Sequence, residues 1–238
     1  MNKRLKTDED QHYVIKNSET VENNHKELSQ RECSCSALKI EALTSPIQHG
    51  EGPHWDQKKN VLYFVDTFQA TAYRLKLDPA GNKLEHQKLE GRDSIGIIVP
   101  IKNTIDEFVI AADRYLYRLT WRDYENEIVG LTQIKMVDEE KHKNQFNDGK
   151  ADAKGRLWIG TLTREEDLSV SNNGGALYRF DGGKLVSKQI DNTSISNGIA
   201  WSSDNTRFYF VDTETRDVIE YEYDSQSGEL GKAKFYSI

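Results

Sequence analysis

Four stretches decide the fold: Val61-Leu-Tyr-Phe-Val-Asp66, Phe108-Val-Ile-Ala-Ala-Asp113, Arg156-Leu-Trp-Ile-Gly-Thr161 and Arg207-Phe-Tyr-Phe-Val-Asp212. β-Branched and aromatic runs of this length read as strands. Each is followed by a shorter run that holds a tyrosine: Tyr73–Leu77, Leu116–Leu119, Leu177–Phe180 and Ile219–Tyr223. Three of these lead into Asp/Gly turns, at Asp78-Pro-Ala-Gly81, Asp181-Gly-Gly183 and Asp224-Ser-Gln-Ser-Gly228, which are hairpin signals. Positions 66, 113, 161 and 212 lie 47, 48 and 51 residues apart. A period of that size built only of strands marks a β-propeller, one four-stranded sheet per blade. No helical periodicity competes with it.

The rest of the chain sets the boundaries. Residues 1–35 read as a disordered polar tail, with too little apolar surface to offset the entropy of ordering. Its charges nearly cancel, 6 basic against 7 acidic through Glu32, so it is no polybasic arm. Residues 36–238 read as the propeller domain. At this period they make about four blades, either a closed four-bladed ring or a larger propeller that is C-terminally incomplete. The whole chain of 238 residues carries 39 acids and 32 bases, a net charge of −7, which argues against a nucleic-acid partner. No apolar run is long enough to cross a membrane, and the first residues lack the apolar core of a secretory signal. Cys33 and Cys35 are the only cysteines. They are too few for a disulfide scaffold or a zinc site, and a reduced, cytoplasmic setting is the expectation.

With the repeat as a ruler, equivalent positions upstream of each run fall at Glu51, Ile98, Asn147 and Asn197. Equivalent positions in successive blades ring the propeller axis, so three oxygen-bearing side chains from three blades should converge, with blade two contributing nothing polar. Carboxylate and amide oxygens are hard ligands. They suit Ca²⁺, Mg²⁺ or Mn²⁺, and an open oxygen site also accepts Zn²⁺. Taken singly, Glu51-Gly-Pro, Asn147-Asp-Gly and Asn197-Gly are also ordinary turn signals; their common phase favours a site. The six histidines show no metal or triad spacing, although His49 and His54 flank Glu51. The four tryptophans are expected to fill the cores between blades.

Glu51-Gly-Pro-x-Trp55, Asn147-Asp-Gly-Lys-x-Asp-x-x-Gly-Arg156 with Gly160-Thr161, and Ser196-Asn-Gly-x-x-Trp-Ser-x-Asp204 together resemble the family of regucalcin, senescence marker protein, gluconolactonase and luciferin-regenerating enzyme. The resemblance spans about residues 38–238. It implies a six-bladed propeller with one divalent metal on its axis, Ca²⁺ first among the candidates, and hydrolysis of small sugar lactones. By position, Glu51 and Asn197 match metal ligands, Asn147 a residue close to metal and substrate, and Asp148 a residue lining the substrate pocket. The family continues beyond this pattern with a Pro-Asp-Gly motif whose aspartate is a ligand and general base. After Asp224 this chain offers only Glu229, leaving Asp148 as the candidate catalytic base. Gln145 stands where the family often has arginine, and Thr163-Arg164 where animal members carry a glutamate. These departures leave a non-enzymatic calcium-binding or interaction propeller as the alternative.

Overall fold

The computed structural model describes residues 13–15, 40–123, 126–182 and 184–237. The chain divides into two compact units, Met1–Ile47 and Gln48–Ile238. In the first, β1 (Tyr13–Ile15) pairs antiparallel with β2 (Ile40–Ala42). The rest of the polar tail, with Cys33 and Cys35, lies outside the described residues. Among the described residues no helix is long and apolar enough to cross a membrane.

The second unit is the all-β propeller that the repeat predicts, with four blades in chain order. Blade 1 is β3 (Gly50–Asp56), β4 (Val61–Asp66), β5 (Thr71–Lys76) and β6 (Lys83–Lys88). Blade 2 is β7 (Ile95–Pro100), β8 (Glu107–Ala112), β9 (Tyr115–Arg122) and β10 (Glu127–Met136). Blade 3 is β11 (Asn144–Ala151), β12 (Leu157–Arg164), β14 (Gly175–Asp181) and β15 (Lys184–Thr193), with β13 (Val170–Ser171) pairing the end of β12. Blade 4 is β16 (Ser196–Trp201), β17 (Arg207–Asp212), β18 (Asp217–Asp224) and β19 (Glu229–Ser237). Every pairing is antiparallel and the four main strands of each blade follow one another in chain order, so each blade is a meander. The expected turns at Asp78–Gly81 and Asp224–Gly228 close hairpins between third and fourth strands.

Three apolar clusters fill the three spaces between four blades. Tyr63, Val65, Ile110 and Trp121 lie in the first, Phe146, Ile159, Tyr178 and Phe180 in the second, and Trp158, Leu177, Phe208 and Phe210 in the third. Only two of the four tryptophans fill this role completely. Trp121 and Trp158 are fully buried, but Trp55 is 44% exposed. Trp55 pairs with Leu62, on the face of blade 1 opposite the buried Tyr63.

Buried arginines clamp the blades laterally. Arg74 of blade 1 donates to Glu85 at 2.6 Å and to the carbonyls of Arg122 and Asp123, and lies 4.3 Å over the Trp121 ring of blade 2. Arg156 of blade 3 donates to Asp152 at 2.6 Å and to Ser225 O and Tyr223 Oη in blade 4. A guanidinium out of water holds its place only when its charge and donors are met, as they are here.

The recurrent aspartates have a local task. Asp66 accepts the backbone N–H groups of Gln48 and His49, and Asp212 those of Ser194 and Ile195. Asp113 does the same for Asp93 and Ser94. Each carboxylate thus fixes the segment that leads into the innermost strand of its own blade. In blade 3, Thr161 replaces the aspartate and donates to Asp138, which also accepts from Asn144.

Candidate functional site

The innermost strands β3, β7, β11 and β16 pack on one another around the axis. All four share one irregularity near the start: register breaks between Glu51 and His54, Ile95 and Ile97, Phe146 and Gly149, and Asn197 and Ile199. A β-bulge adds a residue, bends the strand and re-aims the side chains beside it. Gly52 and Gly198 supply positive φ at two of these bulges (56° and 43°), where a side chain would be strained. Pro53 is tolerated because β3 is a sheet edge and the residue sits in the bulge. The segments with turn-like composition are therefore bulged strands, which is how polar side chains come to lie on the axis.

The register also corrects one equivalence. Gly50, Phe146 and Ser196 pair with Asp66, Thr161 and Asp212, and the corresponding pair in blade 2 is Ile95 with Ala112. The position matching Glu51, Asn147 and Asn197 is thus Gly96, not Ile98, which pairs with Ile110 deeper in the sheet. Counting residues misplaced it by two, because Asp113 stands one place beyond Asp66 in the ladder and the β7–β8 hairpin is one residue longer than the β3–β4 hairpin. Gly96 has no side chain, so blade 2 places no side-chain oxygen at this position. A Cβ on Gly96 would lie 2.2 Å from the backbone oxygen of Asn147.

Contacts tie Asn147 and Asp148 of blade 3 to the Ser196 and Gly198 backbone of blade 4, and the charge of Glu51 in blade 1 reaches Asp148. Asn147 Nδ2 donates to Ser196 O at 3.1 Å, which ties β11 to β16. Asn197 Nδ2 donates to Thr213 at 3.2 Å, while its Oδ1 accepts Gly198 N–H at 3.1 Å. Asp148 accepts Gly149 N–H at 2.8 Å and a second backbone bond from Gly198, and the charge of Glu51 reaches it. Burial, with Glu51, raises the Asp148 carboxyl above its usual range despite the N–H groups of Gly149 and Gly198 and the charge of Lys150.

His49, which sequence spacing did not single out, stands 3.6 Å from Glu51 Oε1 and stacks on Phe68 at 4.7 Å. Its signal was only its place two residues before Glu51. Glu229 lies far from this group, at the rim, bonded to Arg179 at 2.8 Å. Among the described residues no cluster of three or more His, Cys, Asp or Glu is arranged to hold a metal. The axial set is instead one carboxylate ligand candidate, Glu51, with two amide oxygens and the nearby Asp148. All are oxygens and none is soft, a composition that fits a hard divalent cation completed by water.

A β-propeller whose bulged innermost strands carry oxygen-bearing side chains in three of its four blades is the class that fold and site define. Residues 49–238 match the SMP-30/Gluconolactonase/LRE-like region, and the chain belongs to that family. Regucalcin of Xenopus laevis is 33% identical over 195 residues, covering 81% of this chain and 62% of the relative. Among solved structures, a luciferin-regenerating enzyme superposes with a TM-score of 0.72 at 31% identity, covering 79% of this chain and 60% of that one. A calcium-binding protein, regucalcin, from Agrobacterium tumefaciens gives 0.67 at 27% identity, covering 80% and 59%. The chain thus spans about three-fifths of the length of these relatives.

Proposed function

We propose that the axial group is a divalent-cation-dependent site for hydrolysing small sugar lactones. Glu51, Asn147 and Asn197 supply oxygen ligands, Asn147 and Asp148 meet the substrate, and Asp148 is the catalytic base. The observation that carries this reading is the convergence of these side chains at matching bulges. The family, which includes gluconolactonases by its description, supports the reaction class. The description of the Agrobacterium relative as a calcium-binding protein supports Ca²⁺ as the first candidate, with Zn²⁺, Mn²⁺ and Mg²⁺ as alternatives.

A bound cation would polarise the lactone carbonyl and stabilise the negative charge developing on its oxygen. Everything else falls to the chain. Gly149 and Gly198 N–H groups fix the Asp148 carboxylate, and its raised affinity for a proton suits it to take one from the attacking water. The water oxygen bonds to the carbonyl carbon, the ring C–O bond breaks, and the ring oxygen leaves as a hydroxyl after receiving the proton. The product is the open hydroxy acid. His49 stacked on Phe68 braces Glu51 from the side.

Hydrolysis of glucono-1,5-lactone, followed by acid release at constant pH in chelator and then in excess Ca²⁺, tests this. The rate should depend on the cation, and Asp148→Asn should lower kcat about 10²–10⁴-fold. Equal rates with chelator and cation, or an unaltered kcat in Asp148→Asn, would overturn it. The second reading, a cation-binding propeller without catalysis, is favoured by Gln145 and Arg164 at the departures from the family pattern. It expects cation binding with no hydrolysis above background.

A further inference from the structure

Between blades 2 and 3, a cleft of about 340 Å³ lies among Ser94, Asp113, Arg114, Gln145 and Arg164. Two donors of its lining residues have no acceptor among the described residues. Gln145 is only 9% exposed and its buried Nε2 is unpartnered, as is the buried Nε of Arg164. Among the described residues Arg164 forms no ion pair, and its Nη1 donates to Leu168 O at 2.9 Å. Its backbone is well fixed, donating to Lys143 O at 3.0 Å and pairing with Val170 in the β12–β13 hairpin.

Among the described residues neither acid lining the cleft, Asp93 or Asp113, forms an ion pair with Arg164. Asp113 already accepts from Asp93 N, Ser94 N and Ser94 Oγ and lies 3.6 Å from Arg92. Arg114 donates only to the carbonyls of Asp138 and Glu139, while Lys143 is matched by Glu165. Partial burial without a counter-charge lowers the Arg164 pKa. Stacking over Phe68 at 5.4 Å attracts the guanidinium weakly and supplies no acceptor.

Phe68 also links this cleft to the axis. The same ring stacks on His49, which stands beside Glu51. Contacts through Phe68 and His49 thus connect Arg164 at the cleft to Glu51.

Arginine and an amide Nε2 are donors only. A neutral sugar hydroxyl would accept from one of them and leave the guanidinium charge unmatched, whereas an anionic oxygen pair satisfies both. We propose that Gln145 and Arg164 form an anion subsite, so that the substrate preferred at the axial site is a sugar lactone carrying a carboxylate or phosphate group. The inference rests on the lactone reading for the reaction, but the subsite is defined by its own two donors.

Isothermal titration of the full chain in chelator with D-glucose, D-glucuronate and D-glucose 6-phosphate tests it. At least one charged sugar should bind tenfold or more tightly than D-glucose, and the tighter of the two identifies carboxylate or phosphate as the source. Arg164→Gln should abolish the preference, Arg164→Lys retain part of it, and Gln145→Ala weaken it. Equal binding of the three sugars, no binding of any, or a preference that survives Arg164→Gln would overturn the proposal. None of these probes is a lactone and no cation is present. Failure of the hydrolysis assay therefore leaves this readout intact, and loss of the preference with hydrolysis preserved would remove the subsite alone. Should Arg164→Gln fail to fold, the wild-type preference and the Gln145→Ala titration decide.

Discussion

Gly96→Ala is expected to destabilise the propeller by about 3 kcal/mol, the upper part of the range for overpacking a core. The added Cβ would stand 2.2 Å from Asn147 O and 3.0 Å from Phe146 O. Both obstacles are backbone, so no rotamer change relieves them. The strain must shift β11 away from β7, and with it the peptide that carries Asn147 and Asp148. Gly130→Ala serves as the control. It too lies in a bulged strand, but its Cβ would meet nothing closer than Thr120 Oγ1 at 3.5 Å, an ordinary contact. Urea unfolding should show a large fall in midpoint for Gly96→Ala and a change within about 0.5 kcal/mol for Gly130→Ala. Similar effects for the two would mean that blade 2 does not pack against Asn147 as described.

The second large effect is expected at Asp152, in the turn between β11 and β12. Its side chain is 1% exposed and that of Arg156 6%. One oxygen, Oδ2, receives Arg156 Nε at 2.6 Å, Tyr223 Oη at 2.7 Å and Trp158 Nε1 at 3.2 Å. Asp152→Ala would strand a buried guanidinium and two further donors, at a cost of about 3–5 kcal/mol. Burial alone would raise the Asp152 carboxyl, but the bonds from Tyr223, Arg156 and Trp158 outweigh it and hold the group below its usual range. A carboxylate with a depressed folded pKa contributes stability above its unfolded value of about 3.9. That contribution is lost as pH falls through the lower folded value. The gap in melting temperature between wild type and Asp152→Asn should therefore be full at pH 6 and narrow below about pH 4. A gap that does not change down to acid unfolding would contradict this account of the clamp.

What the sequence made legible was the period. Strand runs such as Val61–Asp66 and Arg207–Asp212 bury alternate residues against the next blade, and that alternation is written in residue types. The innermost strands were less legible because Glu51-Gly-Pro and Asn197-Gly carry turn composition. The glycines serve bulges within strands, a context that local composition does not distinguish from a loop. Gly96 escaped notice because a longer hairpin and a shifted aspartate together change the count by two, and because its role is to make room for a neighbouring blade. His49, Phe68 and Arg164 come from blades 1 and 3, and nothing in local sequence announces that they meet. The aspartates 66, 113 and 212 were visible as a repeat, while their task of fixing backbone N–H groups became evident only in three dimensions.

The central claim is that side chains from blades 1, 3 and 4 form a cation site on the axis. The most direct test is a thermal melt of the full chain in chelator and then in increasing Ca²⁺, with Glu51→Ala and Asn197→Ala alongside. Binding to the folded state alone should raise stability by about 2.7 kcal/mol at a hundredfold excess over Kd. The melt of the wild type should therefore climb with Ca²⁺, and both variants should lose most of the shift while melting normally in chelator. A wild-type transition that stays in place at every Ca²⁺ concentration, or variants that shift as far as the wild type, would contradict the claim.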